Sequence, residues 1–204
     1  MALILSLLSL LFGATFAHAE TASVEQKVSG GKVSHWAVEA RLASDAKTGT
    51  ITDSAGVSAS VYYRGIGIDV CGKGSHFLTE SATFFDITRL CAGYSYAQLD
   101  SSQLSGLNFN YFEQSVNSYP LSLEPGFEVA VNNDLFFFFN GSVRTIITQT
   151  RSNANYSLSG IESFHLGLEG GFDARVHNQV FFNIGFESFF SNGFSFFTGA
   201  SVQL

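Results

Sequence analysis

The chain has 204 residues and a formal net charge of -7, a length that suits one domain better than two. Hydrophobic residues make up 46% of it and charged residues only 13%, about half the usual charged share of a soluble domain. The acidic balance and the lack of any basic run argue against a nucleic-acid partner. After residue 20, no stretch reaches the roughly 18 apolar residues that a membrane-spanning helix needs, which disfavours a helical membrane protein.

The first residues read MALILSLLSLLFGATFAHAE and predict a secretory signal peptide. An apolar core from Leu3 to Phe12 is followed by small residues and by AHA at 17–19, an A-x-A type of cleavage site. A short buried helix is the alternative interpretation. We therefore expect residues 1–19 to be removed and residues 20–204 to form a single domain.

Two units in the second half of the chain alternate between polar and apolar residues. In residues 121–131 the apolar side chains occupy the odd positions, and after a predicted turn at 132–134 the next strand contains the run FFFF at 136–139. A second unit spans residues 163–190 around a predicted turn at 177–179. A period of two residues is that of a β-strand, whose successive side chains point to opposite faces.

The two faces of these strands differ in a way that is typical of membrane barrels. One face carries large aliphatic and aromatic residues, and the other carries glycine, serine and isolated charges. Strands of roughly 9 to 11 residues cross a bilayer, and closure leaves no unpaired edge. A secreted β-sandwich is the alternative, but its outer face should be richer in Lys and Glu. We predict an all-β, closed antiparallel transmembrane β-barrel with short turns.

The number of strands depends on residues 57–70, where the parity of the apolar positions changes. Val61 and Tyr63 are odd, whereas Ile66, Ile68 and Val70 are even, and such a change indicates a turn or a bulge. A bulge predicts eight strands, the first of them at residues 57–71, with HWAVEARLAS at 35–44 as an N-terminal helix or plug. A turn at residues 63–64 predicts ten strands.

Ten strands are favoured because HWAVEARLAS itself alternates, with Trp36 and Leu42 facing outward and Glu39 and Arg41 facing inward. The predicted strands are residues 33–43, 50–62, 65–76, 84–99, 104–114, 119–131, 135–148, 158–176, 180–190 and 194–204. With both chain ends in the periplasm, the periplasmic turns are then 63–64, 99–103, 132–134 and 177–179. The outer loops are 44–49, 77–83, 115–118, 149–157 and 191–193.

Cys71 and Cys91 are the only cysteines, and an exported chain reaches an oxidising compartment. If Cys71 lies opposite Cys91, then Ile68 lies opposite Tyr94 and Asp69 opposite Gly93, so one register suits both faces as well as a disulfide. Two unpaired thiols are the alternative, because directly opposed strand cysteines form a strained bridge.

Several stretches resemble the small outer-membrane β-barrel proteins of Gram-negative bacteria, the OmpA-like and opacity-protein-like porin group. The resemblance rests on AHA before Glu20, on HWAVEARLAS as a first strand, on LEPGFEVAVNNDLFFF and LEGGFDARVHNQVFFNIGF, and on a strand that ends at the last residue. It implies a bacterial outer-membrane location after export through the periplasm. It also implies contact with outer-membrane lipids and lipopolysaccharide, recognition by the barrel-assembly machinery, and a monomer.

The inward face predicts a charged and largely filled lumen, in which Glu169 lies opposite Glu187. That pair is unfavourable unless an arginine such as Arg144 or Arg41 intervenes or one carboxyl stays protonated. Phe136 and Phe138 also point inward and predict a constriction near the periplasmic end. The predicted lumen charge network comprises Glu39, Arg41, Asp69, Glu124, Glu128, Arg144, Glu169, Asp173, Arg175 and Glu187. A structural barrel is expected first, and a narrow pore for small solutes or ions second.

An enzyme acting on lipid A or on other outer-membrane lipids is an alternative. Ser163, His165 and Glu169 share one strand face and could meet as a Ser/His/acid set. No motif surrounds His165, so catalytic residues are not expected. No metal-ligand spacing or cofactor motif is present. A surface adhesin is the last alternative, and the short predicted loops do not favour it.

Overall fold

The computed structural model describes residues 35–76, 84–100, 115–149, 156–190 and 193–204. The predicted signal peptide at 1–19 and the predicted strand at 104–114 lie outside these residues. None of the described segments contains a helix of the length and hydropathy that crossing a bilayer requires. The described strands are β1 (His35–Asp53), β2 (Ser58–His76), β3 (Phe84–Leu99), β4 (Ser115–Ala130), β5 (Leu135–Gln149), β6 (Tyr156–Ser159), β7 (Phe164–His177), β8 (Val180–Phe189) and β9 (Gly193–Gln203).

Eight of these strands close into an antiparallel barrel. The order is β2-β3-β4-β5-β7-β8-β9-β1, and β1 pairs with β2 again to complete the ring. The short β6 adds only to one end of β1. β1 begins beside the end of β9, where Ala37 lies opposite Gln203. We call this end of the barrel the terminal end, and the other end of the barrel the far end. The prediction of a closed antiparallel barrel is confirmed, and the favoured count of ten strands is wrong.

The error in the strand count comes from the first two strands. Residues 44–49, predicted as a loop, lie inside β1, and residues 63–64, predicted as a turn, lie inside β2. The alternative count of eight strands is confirmed, but HWAVEARLAS is part of the wall and not an N-terminal helix or plug. Residues 115–118, predicted as a loop, belong to β4. β3 pairs directly with β4, which leaves no place between them for a further wall strand.

An apolar belt surrounds the barrel on its outer surface. On β4 it runs from Tyr119, which is 44% exposed, to Val131 just beyond the strand, which is 57% exposed. At a rise of about 3.3 Å per residue and a tilt of about 40°, this length spans about 30 Å, close to the thickness of the hydrocarbon core of a bilayer. The wall is therefore that of a transmembrane β-barrel.

Beyond the belt, at the far end, the polarity of the wall is inverted. Val61 and Tyr63 of β2 point inward and are 1% and 0% exposed, and Ile51 of β1 packs beside them. Serines and threonines such as Ser58 and Thr52 face outward there. We call this extension of β1 to β4 the crown. Because the crown faces water and not lipid, its apolar side chains turn inward, and this produces the change of parity without any turn or bulge.

The predicted cysteine register is confirmed. Cys71 lies opposite Cys91 with Ile68 opposite Tyr94 and Asp69 opposite Gly93, and the two cysteines form a disulfide. Both are buried in the barrel. The hairpins expected around residues 132–134 and 177–179 are also present.

Inward-facing glycines make room for large inward side chains. A Cβ atom added to Gly171 would lie 2.6 Å from Cζ of Phe138, and it would also clash with the carbonyl oxygen of Ile184. A Cβ atom at Gly185 would lie 2.9 Å from Cε1 of Phe197. Such separations are too short for carbon atoms, so the aromatic rings inside the barrel depend on bare backbone in the facing strands.

Replacing Gly171 by leucine is expected to prevent stable closure, because the new side chain overlaps both a ring and a backbone oxygen. We expect a loss of more than about 2 kcal/mol in the free energy of unfolding, measured by urea unfolding in phosphatidylcholine vesicles. The matched control is Gly72→Leu, where an added Cβ meets no atom within 4 Å. Equal stability of the two variants would contradict this account of the lumen.

Candidate functional site

Two arginines hold the centre of the lumen. Arg41 of β1 donates from Nη1 to Glu124 at 3.0 Å and to Glu169 at 2.9 Å, and from Nε to Glu39 at 2.6 Å. Arg89 of β3 donates to Glu39 at 3.1 Å and to Glu169 at 3.2 Å. The carboxylates of Glu39 and Glu169 are therefore each held between both guanidinium groups. We call Glu39, Arg41, Arg89, Glu124 and Glu169 the central network.

Neutral side chains complete the hydrogen bonding of the central network. Asn183 donates to Glu39 at 2.8 Å, and Asn140 donates to Glu169 at 3.0 Å. Ser122 donates to Glu124 at 2.6 Å. The lumen is rich in acids, and these donors add to the hydrogen bonds that the carboxylates accept from the arginines. The interior of the belt thus consists of paired charges and hydrogen bonds that span β1, β3, β4, β5, β7 and β8.

Towards the far end, Arg144 forms a second cluster. Its Nη2 lies 3.1 Å from Glu187 and 3.5 Å from Asp69, and Ser142 donates to Glu187 at 2.6 Å. The predicted opposition of Glu169 and Glu187 is present in the register. It is tolerated because Glu169 binds the two central arginines while Glu187 binds Arg144.

Towards the terminal end, a lysine and an aromatic pair follow the central network. Lys73 forms ion pairs with Glu128 and, at 2.7 Å, with Asp173. The rings of Phe138 and Phe197 stack with centroids 6.2 Å apart. The guanidinium carbon of Arg89 lies 4.3 Å from the centroid of Phe138, a cation–π distance. Charges and rings therefore pack together in one continuous cross-section.

Nine of the predicted lumen residues lie in these clusters, and Arg175 does not. It is exposed at the terminal rim, next to a register shift between β7 and β8, and lies over the rings of Phe136 and Phe181. Phe136 is only half-buried there. The aromatic constriction is therefore formed by Phe138 with Phe197, not by Phe138 with Phe136. Alternation assigned Arg175 and Phe136 to the inward face, but at the rim this face opens to solvent. The nine are Glu39, Arg41, Asp69, Glu124, Glu128, Arg144, Glu169, Asp173 and Glu187.

Sequence reasoning missed two central cations, Lys73 and Arg89. Both could have been assigned to the interior from the sequence. Lys73 lies two residues after Cys71 and Arg89 two residues before Cys91, and residues two apart on a strand share a face. The register that pairs the cysteines also sets Lys73 opposite Arg89 inside the barrel. Two like charges that face each other across strands are unfavourable, and here Glu39, Glu128, Glu169 and Asp173 surround them.

A small cavity of about 50 Å³ lies on the far side of Arg144. His165 and Glu162 line it, with Nδ1 of His165 3.3 Å from Oε2 of Glu162. The ring of His165 lies 5.0 Å from that of Phe189. Glu169, the acid expected to join Ser163 and His165, is instead bound in the central network, and Ser163 is exposed. Across the described residues, no three side chains converge in a way that could hold a metal ion.

The belt, the closed wall and the filled interior define a small eight-stranded transmembrane β-barrel. Several solved structures resemble it, among them Neisserial surface protein A, with 14% identity over 83% of this chain and 96% of that one at a TM-score of 0.43. The attachment invasion locus protein Ail of Yersinia pestis shares 11% identity over 82% of this chain and 99% of its own, with a TM-score of 0.43. A designed transmembrane β-barrel shares 12% identity over 83% and 95%, at 0.39.

No protein-family model matches the chain, and no curated protein matches it either. These three likenesses all have TM-scores below 0.5. The function is therefore inferred from the barrel's own geometry.

Arg89→Met should destabilise the barrel strongly, because it leaves Glu39 and Glu169 buried with one arginine in place of two. Removing one partner of a buried ion pair costs about 3–5 kcal/mol, to be measured by urea unfolding in lipid vesicles. The control is Arg64→Met, since the Arg64 side chain is 75% exposed and lies 3.4 Å from Asp100. Its loss should cost under about 1 kcal/mol. Similar losses in both variants would show that the central network does not stabilise the fold.

Proposed function

We propose that the protein is a structural outer-membrane barrel with a closed lumen, and that it is not an open pore. The observation that carries this proposal is the complete burial of the central cross-section, where Arg89, Phe138, Glu124 and Glu169 are each 0% exposed. A conducting lumen would leave such side chains in contact with water. The charged lumen that could have attracted cations is instead occupied by its own counterions.

The strand count supports a closed lumen. Eight strands enclose an interior that is just wide enough for side chains to fill, whereas wider barrels leave a channel or a ligand cavity. Two arginines, two phenylalanines and the surrounding carboxylates occupy that interior here. The passage of ions or small solutes, which a ten-stranded barrel would have favoured, has no open route through the described lumen.

The outer membrane is the proposed location because even-stranded, single-chain antiparallel barrels with an apolar belt are typical of bacterial outer membranes. In the proposed orientation both chain ends face the periplasm and the crown faces outward. Outer-membrane lipids and lipopolysaccharide would contact the belt, and the barrel-assembly machinery would insert it. The exposed tyrosines Tyr94 and Tyr119, whose ring centroids are 5.7 Å apart, lie at the far border of the belt, where an aromatic girdle is expected.

A lipid-modifying enzyme is the weaker interpretation of this barrel. The set of Ser163, His165 and Glu169 would need its members within hydrogen-bond reach of one another. Glu169 accepts hydrogen bonds from both central arginines and from Asn140, so its carboxylate is held in the central network and does not bind His165. For this reason we propose a structural role in preference to catalysis.

In planar bilayers the purified protein is expected to show no unitary conductance steps, because its centre is filled. The double variant Arg89→Ala, Phe138→Ala removes a guanidinium and a ring from the same cross-section and should produce steps. Refolding into vesicles, followed by gel migration with and without heating, identifies the folded fraction of each sample. Regular steps from the unmodified barrel would overturn the proposal.

A matched control is available in the run of phenylalanines. Phe137 precedes Phe138 but faces lipid, where its ring packs against Phe172 at a centroid distance of 5.5 Å. The double variant Arg64→Ala, Phe137→Ala therefore removes the same two kinds of side chain without touching the lumen. This control variant should show no conductance steps. Steps from it would indicate that the substitutions loosen the wall in general and do not open the lumen specifically.

A further inference from the structure

The disulfide between Cys71 of β2 and Cys91 of β3 lies inside the closed wall. Cys71 is 0% exposed and Cys91 is 2% exposed. On the neighbouring strands, Glu39 of β1 lies opposite Cys71 and Ser122 of β4 lies opposite Cys91. Ser122 belongs to the part of β4 that carries the apolar belt. The disulfide is therefore at the level of the hydrocarbon core of the bilayer.

Side chains fill the lumen on both sides of the disulfide. Arg89 lies two residues from Cys91 towards the terminal end, is 0% exposed and belongs to the central network. Asp69 lies two residues from Cys71 towards the far end, and one of its oxygen atoms is 3.5 Å from Nη2 of Arg144. The disulfide thus occupies a position between two layers of paired charges.

The outer surface beside the disulfide is apolar. Val70 precedes Cys71 and is 48% exposed on the belt, and Leu90 precedes Cys91 and is 67% exposed there. Because successive residues of a strand point to opposite faces, these side chains face lipid while the sulfur atoms face the lumen. A partner dissolved in water therefore has no approach to the sulfur atoms through the wall.

Formation of this bond requires contact between sulfur atoms. In thiol–disulfide exchange, the thiolate of one cysteine attacks a disulfide of the oxidant and forms a mixed disulfide. The second cysteine then attacks the mixed disulfide and releases the oxidant as a dithiol, so two electrons and two protons pass from the chain to the oxidant. An eight-stranded interior has room for little more than its own side chains, so the closed barrel cannot hold the mixed disulfide.

The two cysteines can meet before the other strands assemble. They are separated by only 20 residues, and β2 pairs directly with β3 on both sides of them. Closing so short a segment of chain costs less conformational entropy than closing a longer one. The exchange therefore needs no strand other than these two.

We propose that this disulfide forms before the barrel closes, by exchange between the unclosed chain and a periplasmic protein dithiol oxidase. The oxidant is a protein because the bacterial periplasm is kept oxidising by such proteins and not by a small-molecule redox buffer. This choice of oxidant rests on the outer-membrane location proposed above. A chain that closes in the reduced form keeps its two thiols, since the wall then excludes the oxidant.

The test compares the reduced chain in two states at one urea concentration, unfolded without lipid and refolded into phosphatidylcholine vesicles. Each sample receives glutathione disulfide, and alkylation after denaturation measures the remaining thiols. We expect the folded sample to form the disulfide at least about a hundredfold more slowly, because the reaction must wait for local opening of the wall. Equal rates would overturn the proposal. A lumen that passes small ions would still exclude this bulky reagent, so the conductance result does not affect the comparison.

Folding of the reduced chain is followed by heat-dependent gel migration. A reduced chain that does not fold at all would support the same order of events, because closure would then require the disulfide.

A matched control is an exposed pair of cysteines in the crown. Thr52 of β1 lies opposite Ser58 of β2, and their side-chain oxygen atoms are 2.8 Å apart on the exposed surface. The variant Thr52→Cys, Ser58→Cys also carries Cys71→Ser and Cys91→Ser. Its new pair should be oxidised at similar rates in both states. Equal protection of this pair would overturn the proposal, because it would show that the vesicles slow the reaction irrespective of burial.

A second experiment tests the class of oxidant in bacteria that lack the periplasmic dithiol oxidase. We expect a heat-modifiable barrel whose two thiols are alkylated only after denaturation. Loss of the folded barrel that is reversed by restoring the oxidase would also support the proposal. A fully oxidised barrel from these cells would overturn it, because oxidation would then need no protein oxidase.

Discussion

Closure of eight strands is the constraint on which the rest of this structure depends. It places every second side chain of the belt in a narrow interior, where a buried charged group needs oppositely charged or hydrogen-bonding partners close by. Arg41 and Arg89 meet this demand by sharing Glu39 and Glu169 across strands that are far apart in sequence. The rings of Phe138 and Phe197 fit beside these groups only because Gly171 and Gly185 face the rings with bare backbone.

The solvent outside the wall decides which residues face inward. Along the belt, the apolar side chains face lipid and the charged side chains face the lumen. In the crown, the polar side chains face water, and Val61 and Tyr63 point inward. One continuous strand, β2, contains both arrangements. The middle of the barrel is therefore filled with side chains.

Part of the lumen could be predicted from the sequence because strand alternation and one register are local rules. The pairing of Cys71 with Cys91 followed from the two faces, as did the opposition of Glu169 and Glu187. Arg175 was misplaced because alternation assigns a face and does not give the depth of a residue in the barrel. The predicted strand count was wrong because of Tyr63. There the surroundings of the wall change from water to lipid, and this shifts the parity of the apolar positions just as a turn would.

The sequence by itself determined that this chain forms a closed antiparallel barrel with an apolar outer face and a charged interior, because a period of two is visible in any single strand. Only the tertiary structure decided that eight strands close the ring and which carboxylates Lys73 and Arg89 bind in the interior. It also decided that the lumen is filled. These features depend on side chains from six or more strands meeting in space, and no pattern within one strand specifies such a meeting.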